Sequence, residues 1–172
     1  DRPDYAVRTA SWMVINQKEW YSKENPTQGS NRNYLRWRFQ TRSIPNCHGL
    51  AYFGYCERFA KTHPEYFALR EDGKRYLEPT MMHTGQLCLT NKGIRNEIFL
   101  DARSALKGEP ASVRGVVLPN YKTSMWASPA YQPGFINIMP QDGFYPCRCP
   151  ECRKYFDQGD KAASNLVWQM TA

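Results

Sequence analysis

Three cysteines fall within six positions of this sequence, at Cys147, Cys149 and Cys152, in the run "YPCRCPEC". Thiolates at offsets of two and three residues on one tight loop can converge on a single tetrahedral zinc ion. The chain has no second C-x2-C pair, so the common zinc-ribbon pattern is incomplete. These three cysteines are candidate ligands of a structural zinc ion, disulfides or free buried thiols are the favoured alternative, and we expect no other cofactor.

The run leaves open both the fourth ligand and the chemical state of the sulfurs. The candidates for the fourth ligand are Cys88, Cys56, His48 and a water molecule. The alternatives to zinc are free buried thiols or disulfides, in which Cys149 or Cys152 pairs with a distant cysteine and Cys47 pairs with Cys56. Six cysteines in 172 residues indicate either an exported, disulfide-bearing protein or a metal site. In either case the sulfurs would hold the loop in place.

The clearest predicted helix is "TNKGIRNEIFLDARSALKG". Its apolar residues recur every four positions, at Ile94, Ile98, Ala102 and Leu106. Asn91 or Thr90 is available as the N-cap and Gly108 as the stop signal. Pro150 is expected to open a second, shorter helix, because proline is favoured at the first helical position. A last helix is expected near the end of the sequence.

Strand-like segments such as "VRGVVL" and "FINIM" alternate with these helices. Alternation of this kind predicts βα units and an α/β fold with a largely parallel sheet. A closed eight-stranded barrel takes about 250 residues, and this chain offers about four βα units. We therefore expect a partial or complete (β/α)8 TIM-type barrel, with residues 1–172 as a single domain that belongs to a longer barrel.

The net charge of +7 raises the question of a nucleic-acid partner. The basic residues are spread along the chain, and the densest patch, "NRNYLRWRFQTR", has the spacing of a solvated face on an amphipathic helix. No apolar run approaches the roughly 18 residues of a membrane helix. We therefore expect neither a nucleic-acid nor a membrane partner.

The blocks "HPEYFALREDGKR", "QLCLTN" and "MPQDG…CRCPEC" occur in an order that resembles the domain-of-unknown-function family 4838. The resemblance extends from about residue 5 to about residue 156. It implies an exported bacterial protein, secreted or periplasmic, with a glycosidase-like barrel similar to alpha-glucuronidases and hexosaminidases. The implied function is glycoside hydrolysis of a bacterial, plant or host glycan, including a uronate-containing one, with an oligo- or polysaccharide as partner. The alternatives are a non-catalytic carbohydrate-binding protein and a zinc-knuckle module that binds nucleic acid.

Asp142 is the catalytic candidate that this resemblance implies. It follows the predicted strand "FINIM", as the acidic pair of hexosaminidase-like barrels follows their fourth strand, although Gly143 stands where the second acid would be. Glycoside hydrolysis usually needs two carboxyl groups, and the second is either Glu57 or lies outside this chain. The alternative for Asp142 is an Asx-turn with Gly143.

Five residues are candidates for substrate binding. Arg8 is similar in place to the sugar-binding arginine at the end of the first strand of hexosaminidase-like barrels, and its fork also suits a uronate carboxylate. A structural ion pair is its alternative role. His48 suits a substrate hydrogen bond or proton transfer near neutral pH. Trp12, Trp126 and Tyr145 lie in or beside predicted strand-end loops, where a flat ring can stack on a sugar.

Overall fold

Helices and turns dominate the part of the chain that the computed structural model describes. The described residues are 48–77, 86–116, 125–127, 130–140, 146–159 and 162–171. The chain divides into two compact units, residues 1–44 and 45–172, and every described residue belongs to the second unit.

The described residues form four α-helices and one β-hairpin. The helices are α1 (Tyr55–Phe59), α2 (Lys92–Leu106), α3 (Pro150–Phe156) and α4 (Ala162–Thr171). There are three 3-10 helices: Gly49–Phe53 precedes α1, Pro64–Tyr66 lies between α1 and α2, and Ala111–Arg114 follows α2. The hairpin pairs β1 (Tyr131–Gln132) with β2 (Phe135–Ile136) in antiparallel register. None of the helices in these ranges has the length and apolar character needed to cross a membrane.

The start of α2 confirms the prediction from the sequence. Asn91 is its N-cap, and the side-chain oxygen accepts hydrogen bonds from the backbone N–H groups of Gly93 (2.8 Å) and Ile94 (3.2 Å). Two of the N–H groups that every helix leaves unpaired in its first turn are thereby satisfied. The predicted start of α3 is also confirmed, since Pro150 is its first residue.

The buried face of α2 is only partly the predicted one. Ile94 and Ile98 are buried as expected, but the face continues through Asp101 and Ala105, whereas Leu106 is 52% exposed. A helix has 3.6 residues per turn, so residues at successive steps of four drift around its axis. Over three such steps the drift carries Leu106 out of the core.

The predicted barrel is wrong, because the only sheet among the described residues is the short hairpin. The segment "FINIM" contributes Phe135–Ile136 to an antiparallel pair rather than a strand to a parallel sheet. In "VRGVVL", Val113 and Arg114 close a 3-10 helix, and Gly115 follows with a φ of +68°. Short apolar runs with β-branched residues have no periodicity that separates a strand from a tight turn. Here glycine allows the left-handed conformation that ends the turn.

A buried ionic cluster connects α1, α2 and the 3-10 helix that follows α2. Asp101 is fully buried and accepts hydrogen bonds from Arg58 Nη1 (2.6 Å) and Arg114 Nε (2.8 Å). Glu97 pairs with Arg114 Nη2 at 2.5 Å and with Arg58 Nη2 at 3.5 Å. The buried carboxylate is therefore compensated by two guanidinium groups, which is the condition under which a buried charge is tolerated.

Candidate metal centre

Four cysteine side chains meet at one point, although they are spread over two distant parts of the sequence. Cys88, Cys147, Cys149 and Cys152 each offer a sulfur, and all four sulfurs lie within 4.8 Å of one another. Cys88 Sγ lies 3.6 Å from Cys149 Sγ and 3.8 Å from Cys152 Sγ. Four sulfurs held tetrahedrally about 2.3 Å from one ion would stand about 3.8 Å apart. These four cysteines can therefore hold a metal ion, and we call them together the metal centre.

Cys88 reaches the centre because its segment is fixed on both sides. On one side, Phe67 and Leu87 form an antiparallel β-bridge, and the backbone N–H of Cys88 donates to the carbonyl of Tyr66 at 2.8 Å. On the other, the carbonyl of Cys88 accepts from the N–H of Asn91, the N-cap of α2, at 2.9 Å. The sulfur is thus presented from a turn between a bridge and a helix start.

The other three sulfurs belong to residues 147–152, the cysteine knuckle. The N–H of Arg148 donates to the carbonyl of Leu69 at 2.8 Å, which fixes the chain between the first two cysteines. Cys149 is the N-cap of α3, Pro150 opens the helix, and Cys152 lies in its first turn. The proline fixes its own φ, so the direction in which the chain enters α3 is defined by the sequence itself.

Two backbone N–H groups and one hydroxyl group face the sulfurs. The backbone N–H of Leu69 lies 3.2 Å from Cys147 Sγ, and that of Cys152 lies 3.4 Å from Cys149 Sγ. Thr90 Oγ1 lies 3.1 Å from Cys152 Sγ. Donors around a sulfur favour the thiolate, which is the form that binds a metal. The sequence analysis considered Thr90 only as a helix cap and did not predict its contact with the sulfurs, although Thr90 is two residues from Cys88. No signal in the sequence indicates the contact of Leu69.

The proximity of the thiols shifts their pKa values in opposite directions. Hydrogen bonds from Cys147 and Cys152 hold the pKa of the Cys88 thiol well below its usual range. Hydrogen bonds with Cys147 and Cys88, together with burial, raise the pKa of Cys152. Several thiolates at this distance repel one another, and a bound cation would compensate their charge.

The structure selects one of the four candidates for the fourth ligand, Cys88. Cys56 lies outside the cluster; its sulfur is 3.7 Å from the carbonyl oxygen of Leu77, and burial raises its pKa to about 12. His48 is half-buried with a φ of +57° just before a 3-10 helix, and it is not part of the cluster. All five described cysteines are free thiols, so Cys149 and Cys152 form no disulfide with another described cysteine. Cys47, the predicted partner of Cys56, lies outside the described residues.

Most residues predicted to act on carbohydrate lie outside the described residues. These are Arg8, Trp12, Asp142 and Tyr145. Glu57 is exposed on α1. The ring of Trp126 is 8% exposed and lies 5.7 Å from that of Phe53, and its indole Nε1 donates to the carbonyl of Glu109 at 2.7 Å. The roles assigned to these residues and to His48 stay predictions.

Comparison with known proteins gives a family but no activity. No curated protein and no solved structure matches the chain significantly. The family model described as "Domain of unknown function (DUF4838)" matches residues 1–170. Since the match covers nearly the whole chain, the protein belongs to the DUF4838 family.

Proposed function

We propose that the metal centre binds one zinc ion, and that this ion has a structural role in fastening the cysteine knuckle to the segment before α2. The observation that carries the proposal is the convergence of four sulfurs within 4.8 Å of one another. Tetrahedral coordination by four cysteines is typical of structural zinc sites.

The burial of the sulfurs supports a structural rather than a catalytic ion. Cys88, Cys147 and Cys152 are 4%, 2% and 0% exposed. A catalytic zinc ion keeps one coordination position for water or substrate, whereas four thiolates fill a tetrahedral shell. The centre therefore supplies folding free energy rather than a Lewis acid for a reaction.

The proposal is tested by the metal content of the full chain purified without added metal. We expect one zinc per chain by elemental analysis and by native mass spectrometry, with free thiols after denaturation. Four cysteine thiolates can also bind iron, and an iron-loaded chain would be coloured, unlike a zinc-loaded one. Cobalt added to the metal-free chain should give sulfur-to-cobalt charge-transfer absorption. Cys88→Ser should lose this absorption and Cys56→Ser should retain it; a chain without stoichiometric metal would refute the proposal.

We also propose that the protein binds or hydrolyses carbohydrate, as the resemblance to glycosidase-like proteins implies. One observation supports this second candidate, a cleft of about 610 Å³ beside the cysteine knuckle. Its lining includes Arg70, Glu71, Asp72, Tyr76 and Arg148. Carboxylates accept and guanidinium groups donate, so together they complement the hydroxyl groups of a sugar, and guanidinium groups also bind a uronate carboxylate. Arg148 stands between two cysteines of the centre, so a bound metal would fix its backbone.

The carbohydrate proposal is tested with a panel of neutral and uronate-containing oligosaccharides. Binding is measured by calorimetry and hydrolysis by the appearance of reducing ends. We expect Arg148→Ala to weaken binding at least tenfold and Arg153→Ala, outside the cleft, to leave it unchanged. Turnover lost in Asp142→Asn with binding retained would support a hydrolase, and binding without turnover would support the non-catalytic alternative. Absence of both binding and turnover would refute the proposal.

A further inference from the structure

The four cysteines of the metal centre differ in their exposure to water. Cys88, Cys147 and Cys152 are buried, whereas Cys149, the N-cap of α3, is half-buried. Oxidation of a cysteine depends on both its thiolate character and its exposure. Cys149 is therefore the cysteine of this centre that is most exposed to a dissolved oxidant.

Among the other three sulfurs of the centre, that of Cys88 is in contact with Cys149 Sγ. The two Sγ atoms are 3.6 Å apart, and a disulfide needs about 2.05 Å, so the sulfurs have to approach by about 1.5 Å. Cys147 and Cys152 have closer contacts of their own, with the N–H of Leu69 at 3.2 Å and Thr90 Oγ1 at 3.1 Å. Cys88 Sγ lies 3.6 Å from the threonine hydroxyl, the same distance as from Cys149 Sγ.

We propose that the metal centre is a redox switch, in which a peroxide joins Cys88 to Cys149 and thereby releases the metal. This inference rests on the proposed zinc site. After oxidation only Cys147 and Cys152 remain as thiolates, and two ligands do not retain a zinc ion that four ligands hold. The disulfide would keep the segment before α2 tied to α3 once the metal has left.

The chemistry balances with hydrogen peroxide as the oxidant. The Cys149 thiolate attacks one peroxide oxygen, so that an S–O bond forms, the O–O bond breaks and hydroxide leaves. The Cys88 thiolate then attacks the Cys149 sulfur, an S–S bond forms, the S–O bond breaks and a second hydroxide leaves. Two protons from solvent convert the two hydroxides to water. The two thiolates lose two electrons in total, and the peroxide gains them.

The experiment uses the full zinc-loaded chain, treated with increasing hydrogen peroxide. Released zinc is measured with a chromogenic chelator, and disulfides are mapped by mass spectrometry after digestion without reduction. Trypsin separates Cys88 (peptide 76–92) from Cys147 (123–148) and from the peptide 149–153. A second cleavage after Glu151 separates Cys149 from Cys152. We expect one zinc released for each Cys88–Cys149 disulfide, and recovery of zinc binding after reduction.

Three results would overturn the inference. They are a first disulfide that joins Cys152 to Cys88 or to Cys149, a first disulfide that includes Cys147, and zinc release without any disulfide. Cys56→Ser, which removes a buried thiol outside the centre, should behave as the wild type. Zinc measured before oxidation tests the proposed function separately. If the chain holds no zinc, disulfide mapping of the reduced, metal-free chain still decides whether Cys88 and Cys149 pair first.

Discussion

Cys88 and Cys149 lie 61 positions apart in the sequence, and their sulfur atoms lie 3.6 Å apart in the structure. An ion bound by both closes a long loop of the chain. Closing a loop of this length lowers the entropy of the unfolded chain by an amount worth about 4 kcal/mol if the cross-link is covalent. The metal centre is therefore placed where one ion has a large effect on stability.

Removal of the metal should destabilise the protein. We expect a strong chelator to lower the free energy of unfolding by about 4 kcal/mol, because the loop between Cys88 and the cysteine knuckle is then no longer closed. Thermal denaturation followed by circular dichroism, with and without chelator, measures this. Added zinc should restore the melting temperature, and a melting temperature that does not respond to chelator would argue against a structural ion.

Loss of a single cysteine of the metal centre should also lower the stability of the protein. Cys88→Ser leaves three thiolates, so we expect zinc to be lost during purification and the stability to fall to that of the chelated wild type. Cys56→Ser is the matched control, because Cys56 is a buried free thiol outside the cluster. Zinc per chain and urea denaturation are the measurements. Equal zinc content in the two variants would contradict the assignment of Cys88.

Thr90 should tune the metal centre without being a ligand. Its Oγ1 lies 3.1 Å from Cys152 Sγ, so Thr90→Val removes a donor to the thiolate at nearly constant volume. Groups of this kind typically change metal affinity by about 10- to 100-fold. We expect competition with a chelator to show at least a tenfold weaker zinc affinity, while stoichiometry stays at one. Thr62→Val, at an exposed position, is the control and should match the wild type.

The buried ionic cluster should be sensitive to the charge of Asp101. Asp101→Asn keeps the shape of the side chain but removes its negative charge. Arg58, whose side chain is only 8% exposed, then loses its buried counter-charge. Breaking a buried pair in this way costs about 3–5 kcal/mol. Urea denaturation should show this loss in Asp101→Asn and almost none in Asp157→Asn, whose ion pair with Arg153 is exposed. Similar stabilities for the two variants would contradict the role given to Asp101.

Gly49 should not tolerate a side chain. A Cβ atom at this position would stand 1.9 Å from the carbonyl oxygen of Asn137, so the backbone at one of the two residues would have to move. We expect Gly49→Ala to lower the melting temperature more than Gly134→Ala does. Gly134 has a φ of +85° and open space around it, so that variant includes backbone strain without a collision. The reverse order in thermal denaturation would refute this contact.

The sequence by itself determined the local features of this protein. The Asn91 cap and the apolar spacing predicted α2, Pro150 predicted the start of α3, and the C-x-C-x2-C run predicted three of the four sulfurs. Each of these signals depends on residues within one or two turns of each other, so it is present in the sequence before any tertiary contact forms.

Only the tertiary structure decided between the alternatives that the sequence left open. Cys88 became the fourth sulfur through the β-bridge between Phe67 and Leu87, which is a contact between distant segments. "FINIM" became a hairpin strand instead of a barrel strand because its neighbour, Tyr131–Gln132, pairs with it in antiparallel register. A short apolar run can pair with several strands equally well, and the segment that packs against it in the folded protein determines which pairing forms.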